Sequence, residues 1–234
     1  MENYLLSTRL LNYKEESIQK IIEARNWLDL KEFDRILEIY NFVRDDIKFG
    51  YNSFDCISAT KVIKDGYGQC NTKGILFMAL LRAVNIPCRI HGFWVSKELQ
   101  KGALSGIIYK LTPDKILHSW VEIYFNNKWY NLEGCILDKK YLSNIQSKFK
   151  GAALGFCGYG VAIDNLMEPK IEWNACSTYI QKNAIVEDLG IFDTPDEFLE
   201  GYSQNLSLPK QLIYKHIIRF IMNYRIKKLR LPAE

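Results

Sequence analysis

The chain has 234 residues, 48% hydrophobic and 25% charged, and its 31 basic and 27 acidic residues leave a net charge of +4. A chain of this length can bury a core without disulfides or metals, and so small a basic excess gives no ground for nucleic acid as a partner. No apolar run approaches the ~18 residues of a membrane span, and MENYLLSTRLLNYKEESIQK breaks its apolar content with Glu2, Arg9, Lys14, Glu15 and Glu16, leaving no signal-peptide core.

A cytoplasmic protein is therefore expected, with its cysteines at 56, 70, 88, 135, 157 and 176 as free thiols. No CxxC pair is present, and three histidines (91, 118 and 216) are too few for a structural zinc site, so neither metal nor cofactor is expected.

Residues 16–49 read as helix in two pieces, from Ile18, Ile21, Ile22 and Leu28 and then from Ile36, Leu37, Ile39, Tyr40 and Val43. Residues 49–58, with Gly50, Asn52, Ser53 and Asp55, read as loop, and residues 58–64 as a short helix stopped at Asp65-Gly66. YGQCNTKGILFMALLRAVNIPCRI, residues 67–90, then predicts a helix over 70–84. Its apolar surface is wide enough for burial nearly all round, and it must stop ahead of Pro87. Cys70 stands at the start of this helix. A helix start offers unpaired N–H groups and partial positive charge, the setting of a working thiolate and not of core filler.

Residues 88–95 read as a strand and residues 96–115 as a loop-rich cover. Two further strands, 118–125 and 128–135, flank Asn126-Asn127, which suits a two-residue hairpin turn. In that register Trp120 faces Glu133 and His118 faces Cys135, so all four share one face, with His118 and Glu133 as diagonal neighbours. A one-residue slip would part the pair. Cys70, His118 and Glu133 thus supply a nucleophile, a base and a group that orients the base.

Order and spacing carry a resemblance. Tyr67-Gly68-Gln69-Cys70 leads through Leu80-Leu81-Arg82-Ala83 to Ile86-Pro87-Cys88-Arg89 and Gly92. His118-Ser119-Trp120-Val121-Glu122 follows 48 residues after Cys70, and Trp129-Tyr130-Asn131-Leu132-Glu133 ends 15 residues after His118. This stretch, from about Phe49 to Asp138, resembles the transglutaminase-like superfamily. The resemblance implies an α+β, papain-like fold in which a central cysteine-bearing helix packs on an antiparallel sheet. It also implies attack of a thiolate on an amide or ester carbonyl, an acyl-enzyme, and release to water or an amine.

The family usually has Asp where Glu133 stands, which makes Asp138 the alternative third member. The backbone N–H of Cys70 is the first candidate oxyanion donor. The resemblance adds an upstream aromatic donor, for which Tyr51 is the nearest match, while Gln69 and Trp120 are further candidates for the wall of the site.

Other residues receive plainer readings. Cys56, Cys88 and Cys176 read as packing residues, and Cys135 is the rival nucleophile, without a helix end to support it. His91 reads as structural. Residues 151–160 hold four glycines but lack the sequel of a phosphate loop, and read as tight backbone packing in preference to a mobile flap. Residues 209–229 predict a C-terminal helix whose closing basic residues suit its own dipole.

The expected organisation is one domain, with a helical lead-in at 1–48, a core at about 49–145 and an extension at 146–234. The expected function is cysteine-dependent acyl chemistry on a peptide or amide substrate, with hydrolysis ahead of cross-linking by amine transfer and of a non-catalytic binding role.

Overall fold

The computed structural model describes residues 1–151, 155–204 and 206–231. In chain order its elements are α1 (Glu16–Ala24), α2 (Glu32–Asn41), β1 (Lys48–Phe49), α3 (Ala59–Asp65), β2 (Tyr67–Gly68), α4 (Cys70–Ala83), β3 (Cys88–Ser96), α5 (Gly106–Leu111), β4 (Lys115–Phe125), β5 (Lys128–Leu132), α6 (Lys139–Lys148), β6 (Phe156–Gly158), β7 (Val161–Ile163), β8 (Ile185–Phe192), α7 (Pro195–Gly201), α8 (Leu208–Ile213) and α9 (Arg219–Leu229).

The fold is α+β, with α4 at its centre. Every residue of α4 from Asn71 to Arg82 is buried, as the width of its apolar surface requires. Each fully buried Ile, Leu, Phe or Met side chain in it contributes about 1.5–3 kcal/mol. It ends at Ala83, and Asn85 at φ 64° turns the chain toward Pro87. The helical lead-in closes over it with Trp27, Ile36, Ile39 and Tyr40.

An antiparallel sheet of order β5-β4-β3-β8 packs on α4. Asn126 and Asn127 take φ 48° and 60° in the β4–β5 turn, and Val121 pairs with Leu132, the register read from the sequence. The second strand of the hairpin is shorter than expected: β5 stops at Leu132 instead of reaching Cys135. Its backbone passes to a parallel bridge between Leu132 and Thr178. Gly134 follows because nothing larger fits there: a Cβ would stand 2.5 Å from Tyr40 Oη and 2.8 Å from Ile171 Cα.

Strand β8 lies outside the sequence reading and flanks β3. The expected loop at 96–115 contains α5 and a 3-10 turn at Lys97–Gln100. The C-terminal helix forms as α8 and α9 joined by a π-helical turn at Tyr214–Ile218. It is tied to the core where Asn223 holds Tyr51 through both its backbone N–H (2.7 Å) and its C=O (3.0 Å).

Of the glycine-rich run at 151–160, Ala152, Ala153 and Leu154 lie outside the described residues, while Tyr159, Gly160 and their neighbours form the β6–β7 hairpin. No helix among the described residues is long and apolar enough to cross a membrane.

Candidate active site

Cys70 is the first residue of α4. The turn before it is built by polar side chains. Thr72 Oγ1 accepts from the Gln69 N–H (3.0 Å) and donates to Asn52 Oδ1 (2.7 Å), so α4 begins on a capped turn that leaves the first N–H groups of the helix unpaired within it. Gly68 admits this turn, since a Cβ there would stand 2.7 Å from Thr72 Oγ1.

The next residue, Asn71, is buried and spans to β4 on both sides of His118. Its Nδ2 donates to the Leu117 carbonyl (3.2 Å), and its Oδ1 accepts from Ser119 Oγ (2.8 Å). The register of Cys70 against His118 is thereby set by side chains, not by chance contact of helix and sheet.

His118 is fully buried, and its Nε2 lies 2.8 Å from Glu133 Oε1. Glu133 is equally buried; its second oxygen accepts from the backbone N–H groups of Ile180 (2.8 Å) and Gln181 (2.9 Å). The extra methylene of glutamate is absorbed here. Glu133 lies just past the end of β5, and its longer side chain spans from that end to both the imidazole and the backbone of the extension.

The remaining ring nitrogen, Nδ1, has no conventional hydrogen-bond partner. Burial alone would push His118 down, but its neighbours Cys70 and Glu133 raise it to about 10. Cys70 and His118 line one cavity, and the carboxylate of Glu133 holds the far side of the imidazole.

Asp138, the alternative third member, is engaged elsewhere. It caps α6 through the Tyr141 N–H (3.0 Å), accepts from the Phe49 N–H (3.0 Å) and pairs with Arg230. Cys135 does not face His118, contrary to the extended-strand reading. With β5 ended at Leu132, it turns into the core near Lys73, where burial pushes its thiol up to about 11.

Tyr51 and Gln69 line the same cavity as Cys70 and His118. Burial first, and then the nearby Cys70 charge, hold the Tyr51 phenol well above its ordinary range, so it remains an O–H donor. The Gln69 side chain is occupied: Oε1 accepts from the Asn52 N–H (2.8 Å) and Nε2 donates to Asp55 Oδ1 (3.0 Å). Trp120 is packed against Phe93, ring centroids 4.2 Å apart, and does not line the cavity. His91 bridges Glu122 (2.9 Å) and Asp188 (2.8 Å) across three strands. All six cysteines are free; Cys88 is buried as a packing residue, whereas Cys56 and Cys176 are exposed, contrary to that reading.

Three features of the site lay outside the sequence reading. Asn71 had a visible signal, a polar residue in a helix wide enough in apolar surface to be buried nearly all round, since a buried amide must find partners. Lys73 had the same signal. It is fully buried, burial pushes it down to about 7, and its ammonium donates to the carbonyls of Arg44 (3.1 Å) and Ile136 (2.9 Å). Asp55, whose carboxyl burial pushes up against the hydrogen bonds from Gln69 and Asn71, sits in an irregular loop and had none.

Comparison with known proteins agrees with the motif reading over part of the chain. Residues 24–134 match the family model described as the transglutaminase-like superfamily. Among solved structures, a candidate cysteine protease from Cytophaga hutchinsonii is similar over 83% of this chain and 47% of its own, at 15% identity and a TM-score of 0.44. The transglutaminase of red sea bream is similar over 56% of this chain and 25% of its own, at 16% identity and a TM-score of 0.32. This chain therefore spans about half the length of the first and a quarter of the second. No curated protein matches it.

Proposed function

We propose that this chain, whose residues 24–134 are transglutaminase-like, is a cysteine hydrolase that cleaves an amide or peptide bond through a thioester on Cys70. The observation that carries the reading is the arrangement itself: a helix-start thiol and an imidazole on one cavity, with one ring nitrogen on Glu133 and the other without a hydrogen-bond partner.

In this reading Glu133 keeps the imidazole proton on Nε2, so Nδ1 accepts the thiol proton. The Cys70 sulfur attacks the carbonyl carbon and the oxyanion forms. Its donors are the Cys70 backbone N–H and the Tyr51 hydroxyl. The tetrahedral intermediate collapses as the imidazolium gives its proton to the leaving nitrogen. Water, activated by the same imidazole, then hydrolyses the thioester and restores the thiol.

Gln181 borders the cavity, and its side-chain amide is held by the Gly160 carbonyl at 2.6 Å. Six unbridged cysteines, one of them the nucleophile, suit a reducing compartment such as the cytoplasm. Transfer of the acyl group to an amine uses the same first half-reaction. Product analysis separates the two: hydrolysis yields free acid in the presence of added primary amine, and transfer yields the new amide. A protein that binds amides without forming any thioester would contradict both.

A further inference from the structure

The cavity that Cys70 and His118 share has a volume of about 520 Å³, within the ~300–1,000 Å³ range of small-molecule sites. Its walls are mostly apolar. Leu99 and Leu104 come from the segment after β3, Ile108 from α5, Ile218 from the π-helical turn and Met222 from α9. Apart from His118, its charged lining side chains among the described residues are Asp55, held by Gln69, and Lys210 on α8. Where α5 and α8 border the cavity, Leu111 and Ile213 are exposed, so apolar lining continues to the surface.

A pocket for a short polar acyl group would have no use for this surface, since apolar area left in water contributes nothing to binding. What fills the cavity must be joined to the carbonyl that Cys70 attacks. The part that stays on Cys70 while the amine departs and water enters is the acyl group.

We propose that the cavity holds the acyl part of the substrate and selects a bulky apolar acyl group, in amides of medium-chain or similarly large apolar acids. The inference rests on the thioester reading above and names the substrate class of that same site. The reaction remains a hydrolysis: the C–N bond breaks, a C–S bond forms and is replaced by C–O from water, and the leaving amine takes its proton from His118.

The test is a series of 4-nitroanilides with one leaving group and acyl chains from acetyl to octanoyl, assayed with the full chain. Each buried methylene is worth roughly two- to fourfold in kcat/KM, so the octanoyl compound, with about six more methylenes, is expected to exceed the acetyl compound at least about fiftyfold. Leu104→Trp, which narrows the cavity, is expected to reduce that preference at least tenfold. Ile108→Trp is the second variant should Leu104→Trp fail to fold. Acylation of Cys70 with no chain-length preference, or a preference that both narrowed variants leave intact, would overturn the assignment of the cavity while sparing the thioester reading. Failure of every compound to acylate Cys70, seen by intact-protein mass, would overturn both.

Discussion

Replacing Glu133 by glutamine changes one atom and, by the geometry of the site, reverses the imidazole. Two backbone N–H groups, from Ile180 and Gln181, converge on Glu133 Oε2 at 2.8 and 2.9 Å. They require an acceptor, so the amide oxygen of the introduced side chain must take that place. The amide NH2 then stands where Oε1 was, 2.8 Å from His118 Nε2, and can only donate. Nε2 becomes the acceptor, the ring proton moves to Nδ1, and the face toward Cys70 can no longer accept a proton. A base locked in the wrong tautomer loses about 10⁴-fold in kcat, roughly 5 kcal/mol of transition-state stabilisation. The assay is turnover of an activated amide, with circular dichroism to establish folding. Glu133→Asp should retain more activity than Glu133→Gln because it keeps the charge. A folded Glu133→Gln protein with a tenth or more of parental activity would refute the argument, and loss of activity in Asp138→Asn instead would move the third role to Asp138.

Further outcomes follow from the same contacts. His118→Ala should fold and be silent, and full activity in that variant would end the triad reading. Asp138→Asn should leave turnover near parental but cost about 2 kcal/mol of stability in chemical denaturation, because it breaks the pair with Arg230 over a cap that asparagine can still make. Asn71→Ala should lower kcat about 10²-fold through misplacement of Cys70 against His118, and an unchanged kcat would remove Asn71 from the account. His118, raised to about 10 from its ordinary 6.5, stabilises the fold fully below about pH 6.5 and loses that contribution as pH rises through about 10. Lys73, lowered to about 7, acts oppositely over much of that window, so the stability curve mixes the two. An NMR titration of the His118 ring isolates one of them, and a midpoint near 6.5 would contradict the raising of the imidazole by Cys70 and Glu133.

How much of this was legible beforehand depended on the range of the interactions involved. The α4 helix and its all-round burial were plain because helical periodicity is local, and the hairpin register was plain because Asn126-Asn127 accepts positive φ. His118 and Glu133 met as the register required. The end of β5 was not legible, because the bridge to Thr178 and the contact of Gly134 with Tyr40 join segments about 45 and 95 residues apart. For the same reason the extension gave no sign that its backbone at 180–181 would hold the triad carboxylate, or that α8 and α9 would border the cavity. Strand β8 was hidden by composition: Glu187 and Asp188 interrupt its apolar content, and its register against β3 is shifted at two bulges.

Hydrolysis and amine transfer both pass through a thioester on Cys70 formed with the help of His118. Incubation with a 4-nitrophenyl ester, acid quench and peptide mapping by mass spectrometry detects that thioester. An acyl adduct is expected on the Cys70 peptide in the parental chain, accumulating in proportion to released nitrophenol in the first turnover, and none above background in His118→Ala. An adduct confined to Cys56, Cys157 or Cys176, the exposed thiols, or one that forms on Cys70 equally fast without His118, would contradict it.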